Sequence, residues 1–165
     1  MAAVRRTTEA RGRRTERAAT HEALPHTADA GFTATASDAR ALFQEAAIAL
    51  AEIAADFAPG MEASIRHDVV VEADSLPSLA YTWLNELIAL ADIHHAAVVS
   101  THVIGVDGPA AGEAAGNWTV RARVALRPYA AGGVLARSQP KSATYHGLVV
   151  RRIGACWMLR AYVDL

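Results

Sequence analysis

The sequence is short of several things at once. It has one cysteine, Cys156, one lysine, Lys141, and only 6 % aromatic residues in 165 positions. A single thiol excludes an intrachain disulfide and a cysteine-based zinc cluster. Read as a small core hydrophobe on a strand, it fits a reducing, cytoplasmic setting. No stretch supplies the roughly 18 uninterrupted apolar residues that a membrane helix needs, so no membrane partner is expected. The richest run, Leu79 to Ala91, is broken by Thr82, Asn85 and Glu86. A phosphate-cradling Gly-Lys-Ser/Thr loop, a Rossmann glycine fingerprint and a nucleophile-elbow serine are all missing. Acidic residues are absent from 114–163.

What is present suits one globular domain. Hydrophobic residues make up 52 % and charged residues 20 %, enough for a sizeable core in a chain of this length. The net charge of -1 hides an uneven distribution. Residues 1–20 carry six arginines against Glu9 and Glu16, with little to bury, and read as a disordered basic tail before a domain at 21–165. Residues 21–113 hold 14 acidic side chains and two basic ones, whereas 114–163 hold eight basic side chains. Such a basic stretch either faces phosphates or an acidic partner, or simply wets the outer face of strands.

Periodicity predicts an α+β fold: a two-layer sandwich of largely antiparallel sheet covered by two amphipathic helices. Two short strands, 22–28 and 31–36, flank a turn at Asp29-Ala30-Gly31. Ser37-Asp38 opens a first helix whose apolar stripe runs from Leu42 to Phe57, with Pro59-Gly60 as its stop. A strand over 63–72 follows. Asp74-Ser75, with Pro77 in the first turn, opens a second helix that carries Trp83 and ends near His94-His95. Strands are then expected at 97–106 and 118–127, a loop at 128–140, and a terminal hairpin of 142–152 and 156–165 around Gly154. The count is seven strands and two helices.

Three positions stand out chemically. Asp29 is placed at the tip of the first hairpin. Asp164 is the sole acid of the last 52 residues, next to the terminal Leu165. Those two carboxylates and the carboxylate of Leu165 would make an all-oxygen donor set for Ca²⁺, Mg²⁺ or Mn²⁺ if the chain brought them together. Lys141 stands against 15 arginines, which suits a task that needs a compact, mobile ammonium rather than a planar fork. His26 and His146 either complete a metal shell or, as is commoner for a histidine on a mixed strand face, are packed and hydrogen-bonded. Tyr145, Trp83 and Trp157 read as core or sheet-face residues.

Four blocks of sequence together resemble the archease family. They are His26-Thr27-Ala28-Asp29-Ala30-Gly31-Phe32 before a helix, Trp83-Leu84-Asn85-Glu86-Leu87 after the lead-in Val71-Glu72-Ala73-Asp74, Lys141-Ser142-Ala143-Thr144-Tyr145-His146-Gly147-Leu148, and the ending Val163-Asp164-Leu165. They occur in the family's order, and the basic tail falls outside them. The resemblance implies a small α+β protein that assists an RtcB-type RNA-splicing ligase without being a ligase itself. It implies promotion of the ligase's guanylate intermediate from GTP and of repeated turnover on tRNA or other RNA. Carried across, it puts a metal site, with calcium the leading ion, on Asp29, Asp164 and Leu165, and the functional lysine on Lys141. Rival readings are a stand-alone metal-dependent hydrolase and an RNA-binding or chaperone-like module.

Overall fold

A computed structural model describes residues 19–24, 29–109 and 116–165. The chain runs β1 (Ala19–Leu24), β2 (Asp29–Ala36), α1 (Ala39–Ala54), β3 (Ala55–Phe57), β4 (Ile65–Ala73), α2 (Leu76–Ile93), β5 (Ala96–Asp107), β6 (Trp118–Pro128), β7 (Val134–Ala136), β8 (Ser142–Ile153) and β9 (Cys156–Asp164). The expected α+β class is observed, with all strand pairs antiparallel. The sheet is divided: four strands in the order β1-β2-β9-β8, three in the order β4-β6-β5, and a small β3-β7 ladder. Each helix packs against strands of both larger sheets, and one core runs through all of them.

Local chemistry sets both helix starts. Asp38 caps α1 by accepting from the Ala41 amide at 2.8 Å, and Ser75 caps α2 by accepting from the Ser78 amide at 3.3 Å. Trp83 is fully buried, and its Nε1 donates to the Phe43 carbonyl at 3.1 Å, tying α2 to α1. Truncating such a residue costs about 3–5 kcal/mol.

The end of α1 differs from expectation. The helix stops at Ala54, well before Pro59-Gly60, and Phe57 lies on β3. Its final carbonyls are taken by distant groups. The Arg137 amide reaches Ala54 O at 2.9 Å, and Ser138 Oγ reaches Ile53 O at 2.6 Å. The segment read as a loop at 128–140 thus contains a helical turn and β7, which pairs with β3. That pair brings the strand total to nine among the described residues.

Other expectations need correction. The strand expected over 22–28 is β1, Ala19–Leu24, while residues 1–18 and 25–28 lie outside the described residues. Cys156 is exposed beside the Gly154 turn, not buried mid-strand, so its packing says nothing about compartment. Tyr145, by contrast, lies on β8 as an expected sheet-face residue, exposed and stacked on Tyr81 with centroids 4.0 Å apart. Much of the basic stretch is engaged locally: Arg121 pairs with Asp107, Arg123 with Asp68 and Arg137 with Asp56. That favours arginines as strand-face solvation over a bare phosphate-binding surface. No described helix is long and apolar enough to cross a membrane.

His21 lies between the four-stranded sheet and α1. Its Nδ1 and Nε2 are each 2.8 Å from a carboxylate oxygen, of Glu45 and Glu52 respectively. Burial pulls its pKa down, but the two carboxylates together outweigh that and leave it raised above 6.5.

Candidate functional site

Strand alternation decides which side chains reach the site. Phe32, Ala34 and Ala36 of β2, and Leu159, Ala161 and Val163 of β9, are buried in the core. The residues between them, including Asp29, Gly31, Tyr162 and Asp164, therefore project from the opposite, outer face of the sheet. Asp29 opens β2 as a paired strand residue, not as the tip of a turn, and its register partner is Asp164. Antiparallel partners stand about 4.5–5.5 Å apart at Cα with side chains on the same side. Two aspartates some 135 positions apart are thus held side by side.

The opposite neighbour completes the arrangement. Ser142 of β8 is the other register partner of Asp164, and its Oγ donates to Asp164 Oδ2 at 3.1 Å. The Lys141 amide donates to the Asp164 carbonyl at 2.8 Å. Its ammonium Nζ donates to the Leu165 main-chain oxygen at 2.6 Å. Asp29, Asp164, Leu165 and Lys141 therefore gather at one end of the four-stranded sheet. Lys141, Asp164 and Leu165 are exposed, which leaves the cluster open to a partner.

Like charges directly opposite in a ladder repel, so this pair favours a cation nearby. The donors are hard oxygens, which fits an ion of the Ca²⁺, Mg²⁺ or Mn²⁺ class better than a soft one. Among the described residues no three His, Cys, Asp or Glu side chains gather as a metal cluster. A site here would thus rest on the two aspartates with Leu165. His26 lies outside the described residues. His146 is exposed in a bulge where β8 leaves register between Thr144 and Val149. Its ring is 6.5 Å from that of Tyr162, and no hydrogen bond joins it to Asp164 among the described residues.

Two features of the site were not recognised from sequence. Asn85 of α2 bonds both main-chain groups of Ala143: its amide donates to Ala143 O at 3.3 Å, and its Oδ1 accepts from Ala143 N at 3.0 Å. A helix side chain thus substitutes for a neighbouring strand beside β8 and fixes the segment that carries Lys141 and Ser142. The signal was there, an amide within the most apolar run of the chain. The second feature is Tyr162, whose ring spans Gly31 and Gly147. A Cβ at Gly31 would stand 2.6 Å from the ring and one at Gly147 2.7 Å, and Gly147 also has φ +67°. The glycines of two motif blocks make room for the aromatic ring two residues before Asp164.

The chain's residues 21–165 match the family model described as the Archease protein family (MTH1598/TM1083). The chain belongs to the archease family. It is 23 % identical over 145 residues to the protein archease of Methanosarcina mazei, covering 88 % of this chain and 95 % of that one. It is 27 % identical over 145 residues to the protein archease of Pyrobaculum neutrophilum, covering 85 % and 91 %. The solution structure of protein 1598 of Methanobacterium thermoautotrophicum superposes with a TM-score of 0.70 at 24 % identity, covering 88 % of this chain and 98 % of that one. A crystal structure from Thermotoga maritima, titled an archease and possible chaperone, gives 0.51 at 15 % identity, covering 86 % and 94 %. These structures share the archease fold with this chain.

Proposed function

We propose that this archease-family chain is a non-catalytic activator of an RtcB-type RNA ligase, promoting the ligase's guanylylation and its repeated turnover on RNA. The observation that carries the reading is the pairing of Asp29 with Asp164 beside Lys141, whose ammonium is 2.6 Å from Leu165 O. Asp29, Asp164 and the Leu165 main-chain oxygen are the groups that would hold a divalent ion, and that ion would supply charge neutralisation for phosphate oxygens. Lys141 supplies a second positive charge that can turn from Leu165 toward a phosphate, since its stem is flexible and exposed. Ser142 orients the Asp164 carboxylate by donating to it. Asn85 holds the β8 backbone that presents both Lys141 and Ser142. Positioning and electrostatic support of this kind are what a protein chiefly contributes to phosphoryl transfer.

The test is guanylylation of the cognate ligase by GTP, with and without this protein. Wild-type protein should raise both the guanylylated fraction and the number of turnovers. Lys141→Ala should remove the stimulation while leaving the melting midpoint close to wild type, because the side chain is exposed. Full stimulation by Lys141→Ala and by both aspartate-to-alanine variants would overturn the proposal. Hydrolysis of a phosphoester by the purified protein alone, lost in Asp29→Ala, would transfer the site to a hydrolase.

A further inference from the structure

His67 and His94 meet although nothing in their sequence positions joins them. His67 lies on β4, and His94 ends α2. Their Nε2 atoms are 2.8 Å apart, and their ring centroids 4.7 Å apart with planes tilted by 40°. Both rings are half-buried. The pair belongs to the three-stranded sheet and is separate from the carboxylates, which lie on the four-stranded one.

Two neutral imidazoles have two ways to arrange this contact. One ring can carry its proton on Nε2 and donate to the other. Alternatively, both can carry the proton on Nδ1, which leaves two lone pairs facing a shared point. The second arrangement is a pair of adjacent metal ligands. Two nitrogens each about 2.0–2.1 Å from one ion stand about 2.9 Å apart at a right angle and about 3.3 Å apart at the tetrahedral angle. The observed separation therefore needs only a small outward movement of the rings.

The surroundings favour a cation. His94 caps the C-terminus of α2, where the unpaired carbonyl dipoles attract positive charge. Its own amide is fixed on Leu90 O at 3.2 Å, and His67 is fixed in the β4-β6 ladder opposite Val124. Both rings thus hang from ordered backbone, which reduces the ordering cost of chelation. Imidazole nitrogen suits Zn²⁺, Ni²⁺ and Cu²⁺, whereas the carboxylates at the other sheet suit hard ions.

We infer that His67 and His94 form a second metal site, an open two-histidine chelate for a late first-row divalent ion, with its remaining positions available to water. The test is titration of the full chain with Ni²⁺ in excess Mg²⁺, followed by calorimetry and by the side-chain NMR signals of the seven histidines. Wild-type protein should take up one Ni²⁺ per chain, and the imidazole signals of His67 and His94 should broaden first. His67→Gln and His94→Gln should each lose that uptake, while an Asp29→Asn, Asp164→Asn double variant should retain it. Circular dichroism checks folding. If His67→Gln fails to fold, His94→Gln at the helix end and the wild-type broadening pattern decide the matter. Uptake that is absent in wild type, or unchanged in the folded histidine variants, would reduce the pair to a hydrogen bond and overturn the inference. Because the readout is Ni²⁺ uptake, it stands or falls independently of ligase stimulation.

Discussion

Asn85 holds Ala143 by both of its main-chain groups, one donated bond and one accepted bond from a single carboxamide. Replacing Asn85 by Ala leaves the Ala143 amide and carbonyl short of partners. The cost should be about 1–3 kcal/mol, read as a lower urea midpoint with unchanged slope. Asn85→Asp keeps the acceptor but loses the donor, and should fall between the two. Ligase stimulation should drop in both variants at protein concentrations and temperatures where they remain folded, because the segment that carries Lys141 and Ser142 is loosened. Equal stimulation by folded Asn85→Ala would show that Asn85 serves stability alone.

The facing aspartates predict opposite effects on stability and function. Asp164→Asn removes a like-charge pair and keeps an oxygen for Ser142 Oγ. In the presence of chelator it should be more stable than wild type by about 0.2–1 kcal/mol. With millimolar Ca²⁺, Mg²⁺ or Mn²⁺ the ranking should reverse, since wild type alone gains binding energy from the ion. Thermal melts with and without chelator give both answers. A variant that melts lower in chelator would mean that the charges are already neutralised within the chain.

Gly31 should resist even the smallest substitution. Gly31→Ala puts a methyl group 2.6 Å from the Tyr162 ring and forces the ring or a strand to move. The expected loss is about 1–3 kcal/mol. Combining it with Tyr162→Ala should recover part of that loss, which a double-mutant cycle would measure as coupling. Additive losses would remove the steric explanation.

The His21 bridge makes stability depend on pH in a defined direction. Its folded pKa is raised above 6.5, so the imidazolium's contribution is complete below about pH 6.5 and is lost as pH rises through the folded value. His21→Gln should flatten this part of the profile, bringing variant and wild type closer together at pH 8.5 than at pH 6. Melting midpoints across that interval provide the check. A constant difference between the two proteins would assign His21 to packing rather than charge.

Most of the fold was legible wherever its cause was local. Asp38 and Ser75 start the helices because a cap needs only the next three residues, and the alternation over Trp118 to Arg127 marks β6 without help from elsewhere. The end of α1 was illegible because its capping groups come from Arg137 and Ser138, more than 80 positions later. Gly31 read as a turn glycine, but it is needed for close approach by Tyr162, and that error displaced Asp29 from strand to turn. Asp29, Asp164 and Lys141 stood out by type and position, yet only the β2-β9 register makes the aspartates neighbours. His67 and His94 gave no signal, since neither strand spacing nor helix spacing links them.

Strand β9 occupies an interior place in the four-stranded sheet, with β2 on one side and β8 on the other. Between β2 and β9 the chain builds both helices and the strands β3 to β8 before it returns, so the β1-β2 pair keeps an open edge until β9 is inserted. Closing this half of the molecule therefore depends on non-local pairing, which is slow to form and leaves an unpaired strand edge exposed to association in the meantime.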